Sequence, residues 1–583
     1  MNLFKTLRSA IISAIEADIA PHHPEAELPL HAITVELPRE AGHGDLASNA
    51  AMVLAKPLRQ NPRKVAEMLV EALASLEHLE KVDIAGPGFL NFHFKPTFWQ
   101  QAVPDILAQG ADYGRSTMGG NEPVNIEYVS ANPTGPMHIG HARGAVVGDA
   151  LASLLDFAGY DVTKEYYIND AGAQVDQLAR SAHWRYQEAL GKDQPPMAEG
   201  LYPGAYLEEV GRALAAIYGE SFVGKAEDEW LPTIRDFTLE AMMGQIRKDL
   251  EVLGVKHDVF TSERALHDSA QVDKSIEALK AKGLIYQGVL EPPKGKTPED
   301  WEPVEQTLFK STEFGDDVDR PVLRSDGSKT YFAADIGYMQ HKLDRGFKRL
   351  VMELGADHGG YVKRMKAICA AFSDRQVPLD ITLHQMVNLL EDGTPLKMSK
   401  RAGRIVSARD LVEEVGVGVL RFIMLTRKSE AVLDFDVKKV LEQSKDNPVF
   451  YVQYAHARCH SILRNAKEQA PAALAKLENI TAQDLTPLND EAETSLLRKA
   501  AAWPNVVEQA AKSYEPHRVA FYLQELAASL HSLWNAGHEN ENLRFIVADE
   551  KCTLARLGLV SAVATTLAAG LNLLGVEPLE EMR

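Results

Sequence analysis

Two short segments concentrate residue types that can handle phosphate. The first is ANPTGPMHIGH, residues 131–141. His138 and His141 are three apart, so at the start of a helix they project to the same side. Two imidazoles placed there can donate hydrogen bonds to phosphate oxygens, more strongly when protonated. Pro133, Gly135 and Pro136 set a tight loop, and Gly140 leaves room for something flat against the backbone. The second segment is EDGTPLKMSKRAGR, residues 391–404, where Lys397, Lys400, Arg401 and Arg404 crowd a Gly-containing loop. Two lysines there suit a pyrophosphate leaving group, whose charge grows in the transition state. Neither segment is a Walker A loop or a G-x-G-x-x-G fingerprint. A metal pair is disfavoured, because helical pairs usually sit four apart and no third ligand is evident. Taken alone, two nearby histidines are more often solvated or satisfied in a core, and the second segment reads as a basic surface loop.

The elements around the first segment sharpen its meaning. VNIEYVS before it reads as a strand. HIGHARGAVVGDALASLLDFAGY after it places Ile139, Ala142, Val146, Leu151, Leu154 and Leu155 at near-helical spacing, with Gly159 to end the helix. YDVTKEYYI is strand-like again. Strand, loop, helix and strand make a βαβ unit and imply a parallel sheet. A loop joining strand to helix is where free backbone N–H groups and the helix dipole favour an anion. FKRLVMELGADHGGYVKRMKAICAAF repeats the theme.

Elsewhere the pattern changes. AGPGFLNFHFKP reads as a turn and a strand, within a first part that mixes helix and strand signals. The polar, Gly-rich AQGADYGRSTMGGNEP is the best first boundary. KDQPPMAEGLYPGAY and EPPKGKTPEDWEPVE read as loops or insertions. Beyond about residue 440, NPVFYVQYAHARCHSILRNA, EAETSLLRKAAAWPNVVEQAAKSY and HRVAFYLQELAASLHSLWNAG all read as amphipathic helices. The expected organisation is an α+β domain over 1–112, a doubly wound, Rossmann-like α/β domain over 113–440 and an all-α domain over 441–583.

Composition excludes several classes. The 583 residues are 25% charged and 45% hydrophobic, the mix of a folded soluble chain. A net charge of −20 disfavours indiscriminate coating of nucleic acid. Between His341 and Val440, however, 18 Lys/Arg face 13 Asp/Glu, so a polyanion has a local contact. Cys369, Cys459 and Cys552 are scattered, which argues against a disulfide framework and a structural zinc and fits a reducing compartment. The N-terminus reads as an amphipathic helix with Leu3, Leu7, Ile11 and Ile15 on one face, not as a signal peptide. Leu557–Val576 is uncharged and long enough to span a membrane, but its polar residues and glycines point to a buried core helix.

Together, HIGH at 138–141 and KMSK at 397–400 match the two signatures of class I aminoacyl-tRNA synthetases in order and separation. EYVSANPTGPMHIGHARGAVVGDAL, YYINDAGAQ, TYFAADIGYM, LGADHGGYVKRM, FYVQYAHARCHSI, GDLASNAA and GPGFLNF resemble arginyl-tRNA synthetases of the bacterial type, over essentially the whole chain. The resemblance implies a ligase that forms arginyl-adenylate from arginine and ATP, then transfers arginine to the 2′-OH of the tRNA terminal adenosine. It implies His138, His141, Lys397 and Lys400 as the catalytic set. Gly140, Gly355, Asp357, His358, Met398 and Ser399 would join those four at ATP. Ser130, Asn132, His141, Tyr331, Asp335 and Glu127 would hold arginine. A guanidinium needs planar acceptors, carboxylates best, and Tyr331 and Asp335 are spaced to share a helical face. Tyr451, Tyr454, Tyr522 and Trp534 are candidates to stack anticodon bases. Asn49 and Phe89 are candidates at the tRNA elbow. Mg²⁺ with ATP, no structural zinc, no membrane, a cytoplasmic location and a monomer are the remaining expectations. The rivals are another class I synthetase, a smaller nucleotidylyltransferase sharing H-x-G-H, and a non-enzymatic tRNA-binding paralogue. The absence of zinc-binding cysteines, an aspartate where glutamate would need a basic pocket, the chain length and two intact signatures speak against them.

Overall fold

The computed structural model describes residues 2–38, 42–290, 304–396, 407–442, 444 and 446–582. The chain divides into two compact units, Thr117–Glu442 with Tyr514–His517, and Met1–Ser116 with Gln443–Ser513 and Arg518–Arg583.

The first of these units is built on a five-stranded sheet. Its strands are β1 (Pro123–Tyr128), β2 (Asp161–Ile168), β3 (Val259–Ser262), β4 (Arg349–Gly355) and β5 (Leu379–His384). They lie in the order β5-β4-β1-β2-β3 and all pair in parallel. This is the doubly wound arrangement expected from the βαβ pattern. The order reverses between β1 and β4, and the crevice beyond their carboxyl ends is where such sheets bind ligands. β1 is buried on both faces, from Val124 to Tyr128, as a central strand covered by helices must be.

Five helices matter for the site: α1 (Ile139–Phe157), α2 (Glu227–Val252), α3 (Tyr331–Asp344), α4 (Ala408–Val415) and α5 (Val417–Met424). Helix α1 lies close against the sheet because glycines line one side of it. A Cβ on Gly148 would stand 2.3 Å from Tyr128 Cγ, and one on Gly144 would stand 2.8 Å from His384 Cε1. Helix α2 joins Ala173–Ala189 and Tyr206–Tyr218 around a small core that includes Leu178, Tyr186, Leu214 and Trp230. KDQPPMAEGLYPGAY is loop up to that second helix, as expected. Most of EPPKGKTPEDWEPVE lies outside the described residues.

The second unit brings the two ends of the sequence together. Its antiparallel sheet has the order Val35–Glu36, Leu46–Ser48, Phe89–Phe94, Leu79–Ala85. The N-terminal helix Leu3–Ala14 buries Leu3, Leu7 and Ile11, and Ile15 follows them into the core. Trp503 Nε1 donates to the Tyr113 carbonyl at 2.8 Å, and Tyr113 donates to the Ala500 carbonyl at 3.2 Å. The helical stretch expected over EAETSLLRKAAAWPNVVEQAAKSY is two helices, Glu491–Ala501 and Trp503–Ser513. Pro504 explains the break, since it has no N–H for the carbonyl four residues back. Glu550–Leu573 has the length and composition of a membrane span, yet 83% of its apolar window is buried inside this unit. It is the core helix that the polar interruptions indicated.

Candidate active site

The carboxyl end of β1 is strained. Val129 and Ser130 have φ of 69° and 41°. A β-branched residue in this region is an outlier that costs on the order of 1–3 kcal/mol and clusters at functional sites. The turn lets Ser130 Oγ donate to Glu127 Oε1 at 3.1 Å and accept from the Tyr167 amide at 3.0 Å. Ser130 thus ties the ends of β1 and β2. Asn132 accepts from Asn169 Nδ2 at 3.1 Å and donates to Gln174 Oε1 at 3.2 Å.

His138 is the N-cap of α1. Its Nδ1 accepts from the Gly140 amide at 3.1 Å and the His141 amide at 3.4 Å, while His141 Nδ1 accepts from the His138 amide at 3.4 Å. The helix amides expected to face a phosphate are therefore capped by the histidines themselves. Accepting at Nδ1 places the proton of each neutral ring on Nε2. The rings stack at 3.7 Å. Burial, with His138 and His384 nearby, pushes the His141 pKa down to about 3, so His141 is a neutral donor. Beyond its chain neighbours and the helix backbone, only the His138 ring lies within 4 Å of a Cβ built on Gly140. His384 ends β5 and lies against Gly144, with Nδ1 3.0 Å from the buried Glu353 carboxylate.

Acidic groups gather where α3 meets the ends of β1, β2 and β3. Glu127 is held by Lys342 Nζ at 2.5 Å and by the Tyr338 hydroxyl at 2.8 Å. Its oxygens are thus engaged within the protein, which places it behind the pocket rather than as an unpaired acceptor. Tyr338 lies 4.4 Å from Tyr167. Among the described residues no hydrogen bond reaches the Asp335 carboxylate. Burial, then Glu263 and Glu127, raise its pKa from an ordinary 3.8 to about 7, against the pull of Arg364. Burial likewise raises Glu263, a raise its Tyr167 hydrogen bond only partly offsets. Two desolvated carboxyl groups that repel each other's charge form a pocket that favours an incoming cation. Tyr331, one turn before Asp335, is 73% exposed.

Glu263, Tyr167 and Tyr338 were not among the residues singled out from sequence. The available signal for Glu263 was its place just past a strand of a parallel sheet. Gly355 ends β4; Asp357 and His358 follow in the turn Ala356–Tyr361, with His358 Nε2 3.6 Å from Asp357 Oδ2. Lys397, Met398, Ser399 and Lys400 lie outside the described residues.

In the other unit, Tyr522 is buried, stacks on Trp503 at 5.4 Å and donates to the Lys499 carbonyl at 2.7 Å. A core position with its hydroxyl already bonded leaves no face for a base, so this expectation is corrected. Tyr451 packs against His531 at 4.6 Å. Tyr454 and Trp534 are more open. The Arg458 guanidinium lies 4.5 Å from the Tyr454 ring and 4.6 Å from the Trp534 ring. Cavities of about 200 and 340 Å³ share Trp534 as a wall.

Three family models match the chain. They are the arginyl tRNA synthetase N terminal domain over 3–94, the tRNA synthetases class I (R) catalytic domain over 102–210 and the DALR anticodon binding domain over 452–582. The arginine–tRNA ligase of Roseobacter denitrificans is 55% identical over 583 residues, covering all of both chains. That of Cereibacter sphaeroides is 57% identical over 587 residues, again covering all of both. The arginyl-tRNA synthetase structure of Thermus thermophilus superposes with a TM-score of 0.73 at 22% identity, over 99% of this chain and 100% of that one, a likeness of fold.

Proposed function

The chain belongs to the arginyl-tRNA synthetase family, and from that premise we propose how its residues divide the work. The enzyme is an arginine–tRNA ligase. Arginine attacks the α-phosphate of ATP, pyrophosphate leaves, and arginine passes from the adenylate to the 2′-OH of the tRNA terminal adenosine.

The observation that carries the residue assignment is the cation pocket formed by Asp335 and Glu263 across the crevice from His138 and His141. The guanidinium enters between the two carboxylates, with Tyr331 at the mouth and Tyr167 on the wall. Ser130 and Asn132 shape the end where the reacting carboxylate lies, and Glu127 holds Ser130 from behind. His138 and His141 donate from Nε2 to ATP phosphates, Gly140 leaves space for adenine, and Gly355, Asp357 and His358 border the nucleotide. Lys397 and Lys400 stabilise departing pyrophosphate, with Met398 and Ser399 setting their spacing. No side-chain nucleophile is needed, because positioning and charge stabilisation do the work. Mg²⁺ bound with ATP would supply screening of the phosphate charge. Among the described residues no three His, Cys, Asp or Glu side chains gather as a metal site.

Residues 113–440 carry catalysis, 1–112 meet the tRNA elbow with Asn49 and Phe89 as contacts, and 441–583 read the anticodon. Tyr451, Tyr454 and Trp534 provide stacking there, with Arg458 between the last two. The enzyme works as a cytoplasmic monomer. Stacking of one base is worth ~1–3 kcal/mol. Trp534→Ala therefore raises the tRNA KM about tenfold or more, with arginine and ATP constants unchanged; equal tRNA KM in both proteins removes Trp534 from the interface.

ATP–pyrophosphate exchange over a panel of amino acids, each with and without bulk tRNA, tests the whole reading. Exchange with arginine alone supports it. Exchange with a different amino acid overturns the pocket, and no exchange under any condition overturns the enzyme.

A further inference from the structure

Helix α2 is remote in sequence from both signatures, yet it carries a buried carboxylate that touches the flanks of both. Asp249 is 4% exposed. Its Oδ2 accepts from the Met137 amide, just before His138, at 3.3 Å. Its Oδ1 accepts from Arg409 Nη2 at 2.8 Å and Nε at 3.2 Å. Arg409 belongs to α4, which follows the KMSK segment in sequence. The two flanks also meet directly, since Ala408 N donates to the Met137 carbonyl at 2.8 Å and His138 bridges to Ser407. We propose that Asp249 is a positioning residue for the activation step, holding the start of the HIGH segment and the chain beyond KMSK in one register. This rests on the synthetase reading above.

The geometry separates this role from general scaffolding. A second buried link, independent of Asp249, secures α1 and the end of α2 through α5. Arg421 on α5 donates to Asp149 of α1 at 2.7 Å and to the Leu253 carbonyl at the end of α2 at 2.9 Å. Burial pushes the Asp149 pKa up, but Arg421 and Lys164 outweigh it and hold the group below its ordinary value. The frame therefore keeps a charged anchor when Asp249 is cut. What Asp249 adds is local. Met137 is fully buried, so its amide needs an acceptor at 249, and an asparagine there leaves one oxygen for the Met137 amide and the Arg409 guanidinium that two oxygens now serve separately. A displacement of about 1 Å at His138 costs on the order of 10²-fold in rate. Arginine binds across the crevice and does not touch this link.

The test compares Asp249→Asn, Arg409→Gln, Arg409→Lys and the double variant Asp249→Asn/Arg409→Gln in the full chain. The readout is arginine-dependent pyrophosphate exchange with tRNA present, corrected for the active fraction by burst titration. Arg409 lines a cleft of about 600 Å³, so its replacements leave the core packing intact even if Asp249→Asn folds poorly. The expected result is a kcat lower by about 10–100-fold in each glutamine or asparagine variant. The arginine KM stays within about twofold of the parent, Arg409→Lys recovers part of the rate, and the double variant is no slower than the slower single. Parent-level kcat in both single variants, losses that multiply in the double, or a matching rise in arginine KM overturns the proposal. A parent protein without arginine-dependent exchange sinks the synthetase reading and this inference with it.

Discussion

Replacing Asp335 with asparagine is expected to lower kcat/KM for arginine by about 10²–10³-fold while the ATP KM stays near that of the parent. Desolvation sets the size of the effect. A carboxylate paired with a guanidinium in a site closed to water is worth ~2–5 kcal/mol on truncation, part of it the penalty on the partner left behind, and each 1.4 kcal/mol is tenfold. Glu263 remains in the variant, which keeps the loss from being total. The same residue predicts a pH dependence. In the free enzyme the Asp335 pKa is about 7. Arginine needs the ionised carboxylate, so below pH 7 binding must expel a proton. The arginine KM then rises about tenfold per unit as pH falls below 7 and is flat above it. For folding the sign is opposite. A carboxyl raised in the folded state supports stability below its unfolded pKa, and that support is lost as pH rises through 7. Bound arginine relieves the cost by neutralising the charge. The measurements are arginine KM from pH 5.5 to 8.5 in the parent and in Asp335→Asn. A flat profile in the parent, or an unchanged arginine KM in the variant, defeats the assignment.

Lys342→Met should produce the largest loss of stability. Lys342 and Glu127 are both nearly closed to water, with side chains 1% and 5% exposed and 2.5 Å between Nζ and Oε2. Removing one member of a buried pair leaves an uncompensated charge and costs ~3–5 kcal/mol. Lys342→Met/Glu127→Gln should be more stable than the sum of its single changes implies, since no bare charge remains. Urea denaturation followed by a probe in the α/β unit decides this. A loss under about 1 kcal/mol would mean that the pair behaves like an exposed one. The variant also bears on catalysis. A bare Glu127 pushes the neighbouring Asp335 further up, so the midpoint of the arginine KM profile should move to higher pH.

Much of the catalytic side was legible in the linear chain. VNIEYVS followed by a Gly/Pro loop and HIGHARG fixes strand, joint and helix through local rules of periodicity and turn chemistry, and β1 and α1 lie where those rules place them. The two signatures and their flanks carry the family with them. Asp335 was nameable because helical spacing and family likeness both act over a few residues. Leu3, Leu7, Ile11 and Ile15 declared a buried face in the same way.

What the sequence could not order is set by long-range contact. Glu263 joins the acidic groups around Asp335 only because β3 ends beside β2, and neighbouring strands of a parallel sheet are not neighbours in sequence. Glu127 changes from a free acceptor to a paired one because Lys342 arrives from another element far along the chain. Tyr522 and Tyr454 look alike in their helices, and only packing sends the first into the core and leaves the second 39% exposed. Asp249 has no motif at all. Its meaning comes from the meeting of Met137 and Arg409 around it. Local periodicity decides elements and signature residues because their energies depend on neighbours within a turn or a strand. Charge pairing, desolvation and pKa depend on which distant groups share a low-dielectric space, and only the folded chain settles that.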